Sequence, residues 1–431
     1  MKKFIHLLGI SIMSLAMTVF MASCDPENPW GEGGGNTPGG GDVPGGGGGT
    51  DPTQFSGSID VNTTWPDLGL PVDYVVSGTL YVKGNALLTI EPGVTIMFDG
   101  NDGGLTVEEN AGISMVGTPD KPIVFTGPTN NPNNGSWNNI LINSVRNDNR
   151  LEYVQFIRGG SQTGNWRAPV AIRGKVHMNN CLVDGSLSNG ITTEYSGCFY
   201  SFDNNTIKNC ADYAWKTENN ASLYEGVGNN NIFIANGKNM IFVNPPYYAL
   251  EDHVTLKRMS IPYYFPNGYD IREAYKYTIE PGVTMLFGSN TGFVIAEATT
   301  FIADGTIDAP ITIRGLEDEP GFWNGIRYSS NKQASIMNYV NISGGGYGNG
   351  WSESNNLYIY EGSDRRLTIT NCVISKSQYY GIQVGSPETM QNITHNNVIF
   401  LDCQAGNVRF YYGGEYNGVT YEAGQVIPQL P

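Results

Sequence analysis

The decapeptide TIEPGVTIMF, Thr89–Phe98, returns in the second half of the chain as TIEPGVTMLF, Thr278–Phe287. In both copies a Pro-Gly dipeptide separates two short segments in which apolar and polar residues alternate. Pro fixes φ and Gly tolerates positive φ, so the dipeptide predicts a sharp turn between two strands. The acidic residue before each turn, Glu91 or Glu280, is interpreted as a solvated or turn-bonded carboxylate. The repeated decapeptide therefore predicts duplicated architecture rather than a pair of catalytic sites.

Short alternating segments continue at a regular spacing through most of the chain. Segments begin at Leu80, Leu88 and Val94, and the series restarts at Leu105. Three short strands in roughly 25 residues are typical of a parallel β-helix, in which each coil stacks its apolar side chains on the coil below. No amphipathic helix of useful length is apparent. The predicted fold class is all-β, a right-handed parallel β-helix, or solenoid.

The correspondence between the two halves extends well beyond the decapeptide. Matching residues are separated by 186 to 193 positions, as in the pairs Gly117 and Gly305, Trp137 and Trp323, Cys181 and Cys372, and Cys210 and Cys403. Because this offset drifts by only a few residues, we interpret the chain as an internal duplication of a whole block of coils. The predicted blocks are residues 56–250 and 251–431.

Asparagine recurs where the coils are expected to turn, as Asn179-Asn180, Asn204-Asn205, Asn229-Asn230-Asn231 and Asn396-Asn397. Asparagine tolerates left-handed backbone angles, and stacked amides can form hydrogen bonds from one coil to the next. These residues therefore predict a ladder of corners rather than a ligand site.

The order of these motifs resembles that of bacterial right-handed parallel β-helix proteins of the pectin-lyase-like superfamily, in particular exported lipoproteins. The resemblance covers about residues 75 to 410 and includes IEPGVT, Gly117-Thr118 with Pro122–Phe125, Trp137 and the Asn-Asn corners. It implies the solenoid fold but no single activity, because the superfamily includes lyases, hydrolases and adhesins. It further implies that a lyase would hold Ca²⁺ with clustered carboxylates and use Arg or Lys as base, and that a hydrolase would use close Asp motifs.

The N-terminal residues have the pattern of an export signal. A basic start and an apolar run precede Met21-Ala22-Ser23-Cys24, which resembles the cleavage site of bacterial lipoproteins. We predict a signal peptide at residues 1–23, lipidation at Cys24 and a flexible Gly/Pro-rich tether at residues 24–55. The alternative is an ordinary secretory signal with a chance cysteine. The expected location is the bacterial cell envelope, as an outer-membrane lipoprotein exposed at the surface and touching the membrane only through its anchor.

The net charge indicates which partners the protein is not expected to bind. The formal net charge is −16, so the surface repels nucleic acid and anionic lipid, and no nucleic-acid partner is expected.

Five cysteines follow Cys24 without any CxxC spacing. An odd count in this arrangement predicts buried thiols rather than a disulfide framework or a zinc site.

Candidate catalytic groups are few. The chain has no Asp-Asp, Asn-Thr-Asp or Gly-His-Gly motif, so the usual hydrolase pattern is missing. The densest acidic cluster, Glu317, Asp318 and Glu319, is a candidate Ca²⁺ site under the lyase alternative only, and otherwise no cofactor is expected. A solvated loop is the preferred interpretation of this cluster and of Asp364-Arg365-Arg366, a conceivable substrate clamp. His177 and His395 are interpreted as structural residues at strand ends.

Aromatic residues beside amides are abundant, with 25 Tyr and 7 Trp. Such surfaces favour stacking and hydrogen bonding with sugars. Trp166, Tyr347, Trp351, Tyr379 and Tyr380 are the candidate ligand-binding residues, on the expectation that stacked coils bring their loops to one side. The alternative is that these rings only cover the edges of coils.

The sequence thus predicts a lipid-anchored envelope protein with a non-catalytic role in binding a polysaccharide or another surface component, as a glycan-binding protein or adhesin. The alternative function is that of a polysaccharide lyase or another carbohydrate-active enzyme on the same fold.

Overall fold

The structure is a computed structural model that describes residues 51–161, 167–195, 197–218, 223, 226–244, 253–271, 276–348 and 355–431. The predicted signal peptide, Cys24 and the Gly-rich part of the tether lie outside the described residues. So does the predicted boundary between the blocks, because residues 245–252 are not described. Thr53–Phe55, the end of the predicted tether, already pairs with Tyr74–Val76 in the first coils.

Within the described ranges, the first half consists of short strands. They are β1 Thr53–Phe55, β2 Ser58–Ile59, β3 Thr63–Trp65, β4 Tyr74–Val76, β5 Thr79–Val82, β6 Leu87–Ile90, β7 Thr95–Phe98, β8 Gly104–Val107, β9 Gly112–Val116, β10 Ile123–Thr126, β11 Ile140–Ile142, β12 Arg150–Glu152, β13 Val154–Gly159, β14 Val170–Ile172, β15 Lys175–Asn179, β16 Leu182–Ser186, β17 Ile191–Thr193, β18 Cys198–Asp203, β19 Thr206–Cys210, β20 Tyr213–Thr217, β21 Ile232–Ile234 and β22 Lys238–Val243.

The second half continues in the same way and adds a 3-10 helix at Pro387–Asn392. Its strands are β23 Val254–Leu256, β24 Tyr263–Phe265, β25 Tyr269–Ile271, β26 Lys276–Ile279, β27 Thr284–Phe287, β28 Gly292–Ile295, β29 Thr300–Asp304, β30 Ile311–Gly315, β31 Gly325–Tyr328, β32 Ile336–Asn338, β33 Val340–Ser343, β34 Leu357–Ile359, β35 Leu367–Ser375, β36 Tyr380–Val384, β37 Ile393–Leu401, β38 Gly406–Phe410, β39 Gly414–Tyr416, β40 Val419–Tyr421 and β41 Val426–Ile427.

Successive coils stack in parallel in a solenoid of about 12 turns, which confirms the predicted parallel β-helix. In the first half the coils contribute strands to three sheets, and most coils contribute one strand to each. Sheet A contains β1, β4, β7, β10, β13, β16, β19 and β21; sheet B contains β2, β5, β8, β11, β14, β17, β20 and β22; sheet C contains β3, β6, β9, β12, β15 and β18.

Between the two halves, equivalent strands move from one sheet of the solenoid to the next. β7 of the first decapeptide lies in sheet A, but β27 of the second lies in a row that continues sheet B, because Ile241 of β22 pairs with Tyr263 of β24 and β24 pairs with β27. Likewise β8 lies in sheet B, whereas its counterpart β28 lies in a new sheet, D, formed by β25, β28, β31, β34, β36, β38 and β41. Positions that are equivalent in sequence therefore face different directions.

The interior consists of stacked apolar side chains from successive coils. Phe98, Phe125 and Phe156 stack in sheet A with ring centroids 6.1 and 5.6 Å apart. Trp137 and Trp323 are fully buried, and their indole N–H groups donate to the carbonyls of Ile157 at 2.7 Å and Ser343 at 2.8 Å. The same bond spans the same length of chain in each half, which supports the predicted duplication in three dimensions.

Asparagines form the corners, as the sequence predicts. Asn180, Asn204, Asn371 and Asn397 have φ of 55°, 56°, 51° and 51°. The buried Asn205 accepts a hydrogen bond from the Cys181 N–H at 2.9 Å and donates to the Met178 carbonyl at 2.9 Å. Asn231 accepts in turn from the Asn205 N–H at 3.0 Å. These amides replace backbone partners at the bends, so the corners stay satisfied from coil to coil.

The cysteines and the turn acids also match the sequence interpretation. Cys181, Cys198, Cys210 and Cys372 are buried free thiols, and Cys403 is half-buried. Glu280 accepts hydrogen bonds from Lys257 at 2.9 Å and from the Arg258 N–H at 2.8 Å, so it is turn-bonded.

Among the described residues, no helix has the length and apolar character needed to cross a bilayer.

Replacement of a buried corner amide tests the ladder. Asn205→Ala leaves the Cys181 N–H and the Met178 carbonyl buried without a partner. An unsatisfied buried group costs about 1–3 kcal/mol, so we expect the free energy of unfolding to fall by about 2–4 kcal/mol. Urea unfolding followed by circular dichroism measures the change, with the exposed loop variant Asn133→Ala as control. Equal midpoints for the two variants would contradict a structural role for the ladder.

Candidate functional site

The outer face of sheet D carries one row of mainly polar and aromatic side chains. Two of them, Tyr358 and Gln383, are buried. The register aligns Asp270, Val294, Arg327, Tyr358, Gln383 and Arg409 on successive coils. We call this row, together with the flanking tyrosines Tyr360, Tyr380 and Tyr411, the D face. Neighbouring strands lie about 4.8 Å apart, so five steps place Asp270 and Arg409 roughly 24 Å apart along the axis. An elongated ligand could therefore contact several coils at once.

Arg409 is the centre of the aromatic part of the D face. Its guanidinium lies 5.2 Å from the ring centroid of Tyr380 and 5.6 Å from that of Tyr411. One terminal nitrogen donates to the side-chain oxygen of Gln383 at 3.0 Å, whereas the buried Nε has no hydrogen-bond partner among the described residues. The planar cation is thus fixed between two rings by cation–π contacts and one hydrogen bond.

Arg327, three coils before Arg409 in the same row, also has its guanidinium against a tyrosine ring. Its guanidinium lies 4.6 Å from the Tyr360 ring centroid, and the Tyr360 ring meets Tyr358 edge to face at 5.7 Å. Tyr411 and Tyr412 form another edge-to-face pair at 4.7 Å. Negative charge on Glu361 raises the pKa of Tyr412, so this phenol stays neutral and can donate a hydrogen bond. The face therefore combines ring surfaces with fixed donors.

A shallow cavity of about 280 Å³ lies at the other end of the D face. Asp270, Val294 and Arg327 line it together with amide side chains from the preceding turns, including Asn290 and Asn324. Gly325 is required in the lining because the backbone of Asn355 lies against it. A Cβ at this position, which has φ of 90°, would lie 1.7 Å from the Asn355 carbonyl oxygen. The cavity is polar, and its amides are suited to hydroxyl groups.

The structure brings three of the predicted aromatic residues together. Tyr347 and Tyr379 lie at one corner in neighbouring coils, where the Tyr379 hydroxyl donates to the Gly348 carbonyl at 3.3 Å. Tyr380 is the first residue of β36 and contacts Arg409 on the D face. Tyr347 is exposed, and the other two rings are half-buried. Their role in binding stays a prediction.

Trp166 and Trp351 lie outside the described residues. The expectation that the loops after the two Gly-Gly turns meet on one side has no support in the strand pairing. Gly159-Gly160 follows sheet A, whereas Gly345-Gly346 follows β33 in the continuation of sheet B. The displacement between the halves separates the two turns onto different corners.

The acidic cluster is engaged within the protein. Asp318 accepts hydrogen bonds from Lys376 at 2.5 Å and from Ser343 at 2.6 Å. Although burial acts to raise it, the pKa of Asp318 is lowered by these two partners. In the part of the chain that the structure describes, no three His, Cys, Asp or Glu side chains are grouped to hold a metal. Calcium binding at Glu317, Asp318 and Glu319 stays a prediction without geometric support.

The arginine pair holds a corner together. Arg365 is buried, and its guanidinium donates to the Glu361 carbonyl at 3.2 Å and to the Ser329 carbonyl at 2.9 Å. Arg366 donates to Gln333 at 2.9 Å and to Asn392 at 3.0 Å. The burial and the contacts of Arg365 correct the solvated-loop interpretation of this pair, because its guanidinium is occupied in holding the corner.

The two histidines lie within strands and not at strand ends, which corrects that part of the sequence interpretation. His177 is the third residue of β15, and His395 is the third residue of β37. β15 continues to Asn179, and β37 continues through Asn396 and Asn397 to Leu401, so neither strand ends at its histidine. His177 Nδ1 lies 3.0 Å from the Ser201 hydroxyl.

Sequence reasoning missed Arg327, Tyr358, Gln383 and Arg409. A signal was present in the comparison of the halves. The equivalent row of sheet B reads Tyr81, Thr106, Leu141, Ala171, Thr192 and Lys216. The row itself contains no arginine, although Arg173 beside it lies 5.3 Å from the Tyr195 ring centroid. The copies therefore differ at outward positions, where the scaffold imposes no requirement.

Comparison with known proteins agrees with this architecture. Residues 62–163 match the family model described as a pectate-lyase-like beta helix domain. No curated protein matches the chain. The class defined by fold and family model is thus a parallel β-helix of the pectate-lyase-like type. The matched region lies in the first half, whereas the D face belongs to the second.

Proposed function

We propose that the protein binds an extended carbohydrate along the D face without cleaving it. The observation that carries the proposal is the pair of half-buried arginines, Arg327 and Arg409, three coils apart in one row, each with its guanidinium against a tyrosine ring. Tyr358 and Gln383 lie between them in the row but are buried, so they support the Tyr360 ring and the Arg409 guanidinium from within the protein. Carbohydrates are recognised by flat aromatic surfaces together with planar hydrogen-bonding groups. A linear chain lying parallel to the solenoid axis would meet a guanidinium and a tyrosine ring at Arg327 and again at Arg409.

The arrangement of the arginines favours binding over proton transfer. Arg327 and Arg409 are stacked on tyrosine rings and held by neighbouring groups, so they are suited to orient hydroxyl or other oxygen groups of a ligand. Asp270 is the one carboxylate in the row itself. Acid–base cleavage of a glycosidic bond usually divides its roles between two carboxylates. The D face therefore supports a binding function best.

Substitution on the D face tests the proposal. Arg409→Ala and Tyr411→Ala each remove one side of a cation–π contact and one surface for a sugar ring. Such contacts contribute about 1–2 kcal/mol, so Kd for a bound oligosaccharide should rise about five- to thirtyfold. A glycan array identifies the ligand, and isothermal titration calorimetry measures Kd for the wild type and both variants.

Tyr81→Ala is the matched control. Tyr81 is exposed, has Lys83 over its ring at 5.0 Å, and occupies the position in the first half that corresponds to Asp270 in the second. Its loss should leave Kd unchanged. Unchanged binding by the D-face variants, or an equal loss with Tyr81→Ala, would place the ligand elsewhere.

The lyase alternative makes a separate prediction. A polysaccharide lyase forms unsaturated uronates, which absorb in the ultraviolet. The family resemblance implies that such a lyase would need Ca²⁺ held by clustered carboxylates. We expect no such absorbance when the protein is incubated with polyuronates, with or without Ca²⁺. A Ca²⁺-dependent rise that disappears in Asp318→Asn would establish the alternative and the metal site together.

We also propose that the β-helix is anchored to the bacterial envelope by acyl chains on Cys24. The support is the sequence Met21-Ala22-Ser23-Cys24 after an apolar run, followed by the Gly-rich segment. Cys24→Ala should move the protein from the membrane fraction to the soluble fraction of the expressing cells. Mass spectrometry of the N-terminal peptide should show the acyl chains in the wild type. An unmodified Cys24 in the mature protein would contradict the anchor.

A further inference from the structure

The outer face of sheet C carries a row of polar side chains that is separate from the D face. The register places Ser114, Arg150 and His177 one above another on β9, β12 and β15, with Ser201 of β18 as the next step. His177 and Ser201 are both half-buried, so solvent can reach them.

A bulge creates the contact between His177 and Ser201. The pairing of β15 with β18 runs from Val176 with Phe199 to His177 with Ser201, so Tyr200 is an extra residue. Its ring is turned outward and stacks on the imidazole at 5.1 Å, and its hydroxyl donates to the Val145 carbonyl at 3.1 Å. Bulges of this kind re-aim side chains and are common beside active sites.

Hydrogen bonds fix both partners in a reactive arrangement. The Asn179 side-chain nitrogen donates to Ser201 Oγ at 2.7 Å, and its oxygen accepts from the Asp203 N–H at 3.1 Å. Ser201 Oγ lies 3.0 Å from His177 Nδ1. In the tautomer that carries its proton on Nε2, Nδ1 is free to accept the serine proton.

Arg150 adds a positive charge beside this pair. It is directly aligned with His177 on the neighbouring strand, about 4.8 Å away in the backbone. Its charge, after the effect of burial, lowers the pKa of His177 below the ordinary 6.5. The imidazole is thus neutral at neutral pH, and the guanidinium is available to a developing oxyanion.

From this geometry we propose that Ser201 and His177 form a nucleophile–base pair that hydrolyses O-acyl esters. Ser201 Oγ bonds to the ester carbonyl carbon as its proton passes to His177 Nδ1. The ester C–O bond then breaks, and the leaving alkoxide takes that proton. Water attacks the acyl-serine with His177 as base again, which releases a carboxylic acid and restores Ser201. Arg150 stabilises the oxyanion in both steps.

The site belongs to one copy of the duplicated block. Cys181 and Cys372 correspond in the two halves, and the same offset places Thr368 at the position of His177. Thr368 pairs with Thr394 on the next coil, and neither residue can act as a base. The second half forms the same kind of coil without an imidazole at this position. His177 and the bulge are therefore not required by the fold.

Two probes test the proposal on the full chain. A fluorophosphonate should modify Ser201, as identified by peptide mass spectrometry, and p-nitrophenyl acetate should be hydrolysed with turnover. Ser201→Ala and His177→Gln should each lower the rate by about a hundredfold or more. Ser114→Ala, on the same face two coils before His177, should change neither readout. Unlabelled Ser201, or a rate unaffected by Ser201→Ala, would overturn the proposal.

The pH profile separates catalysis from a structural role. The charged or titratable groups around His177 on sheet C and its turns include Arg150, Glu152, Lys175, Tyr200, Asp148 and Asp203. The rate should rise with pH as His177 loses its proton, with a midpoint below 6.5. Arg150→Gln removes a charge that disfavours the protonated ring, so the midpoint should move to higher pH while the maximal rate falls. A profile that does not move in this variant would contradict the assignment, even if the variant is less stable.

Discussion

Parallel pairing between successive coils is the constraint on which the rest of this structure depends. The strands of most coils are only a few residues long, so no coil could bury a core alone. Stacking supplies both the backbone hydrogen bonds and the apolar neighbours, as in the Phe98, Phe125 and Phe156 series. The inner positions are therefore fixed in type and register. The outer positions carry no such requirement, and the chemistry of the molecule lies there.

The displacement of one face between the halves changes what the duplication means. A simple translation would place equivalent residues in one row and give two similar sites on one side. Instead, sheet B continues into β24, and the row of Arg327 and Arg409 lies in a sheet that begins in the second half. The copies share the interior, as the Trp137 and Trp323 hydrogen bonds show. They present different surfaces in different directions.

The fold could be predicted from the sequence because alternation and turn residues act locally. The decapeptide, the Asn-Asn corners and the buried thiols were interpreted correctly from a few neighbouring residues each. The D face could not be predicted in this way. Asp270 and Arg409 lie far apart in the sequence, and their alignment depends on the length of every turn between them. An error of one residue in any coil would move a side chain from the outside to the inside.

The bulge at Tyr200 illustrates the same limit at the smallest scale. Lys175 pairs with Cys198, whereas His177 pairs with Ser201, so the second pair is separated by one more residue than the first. That single extra residue decides whether the imidazole faces a tyrosine or a serine, and nothing in the local pattern of apolar residues records it. Because the interior tolerates the insertion only by expelling Tyr200 to the surface, the bulge alters the outer face without disturbing the stack. A solenoid can thus acquire a new side-chain contact on its surface at one coil, while the coils above and below keep their register.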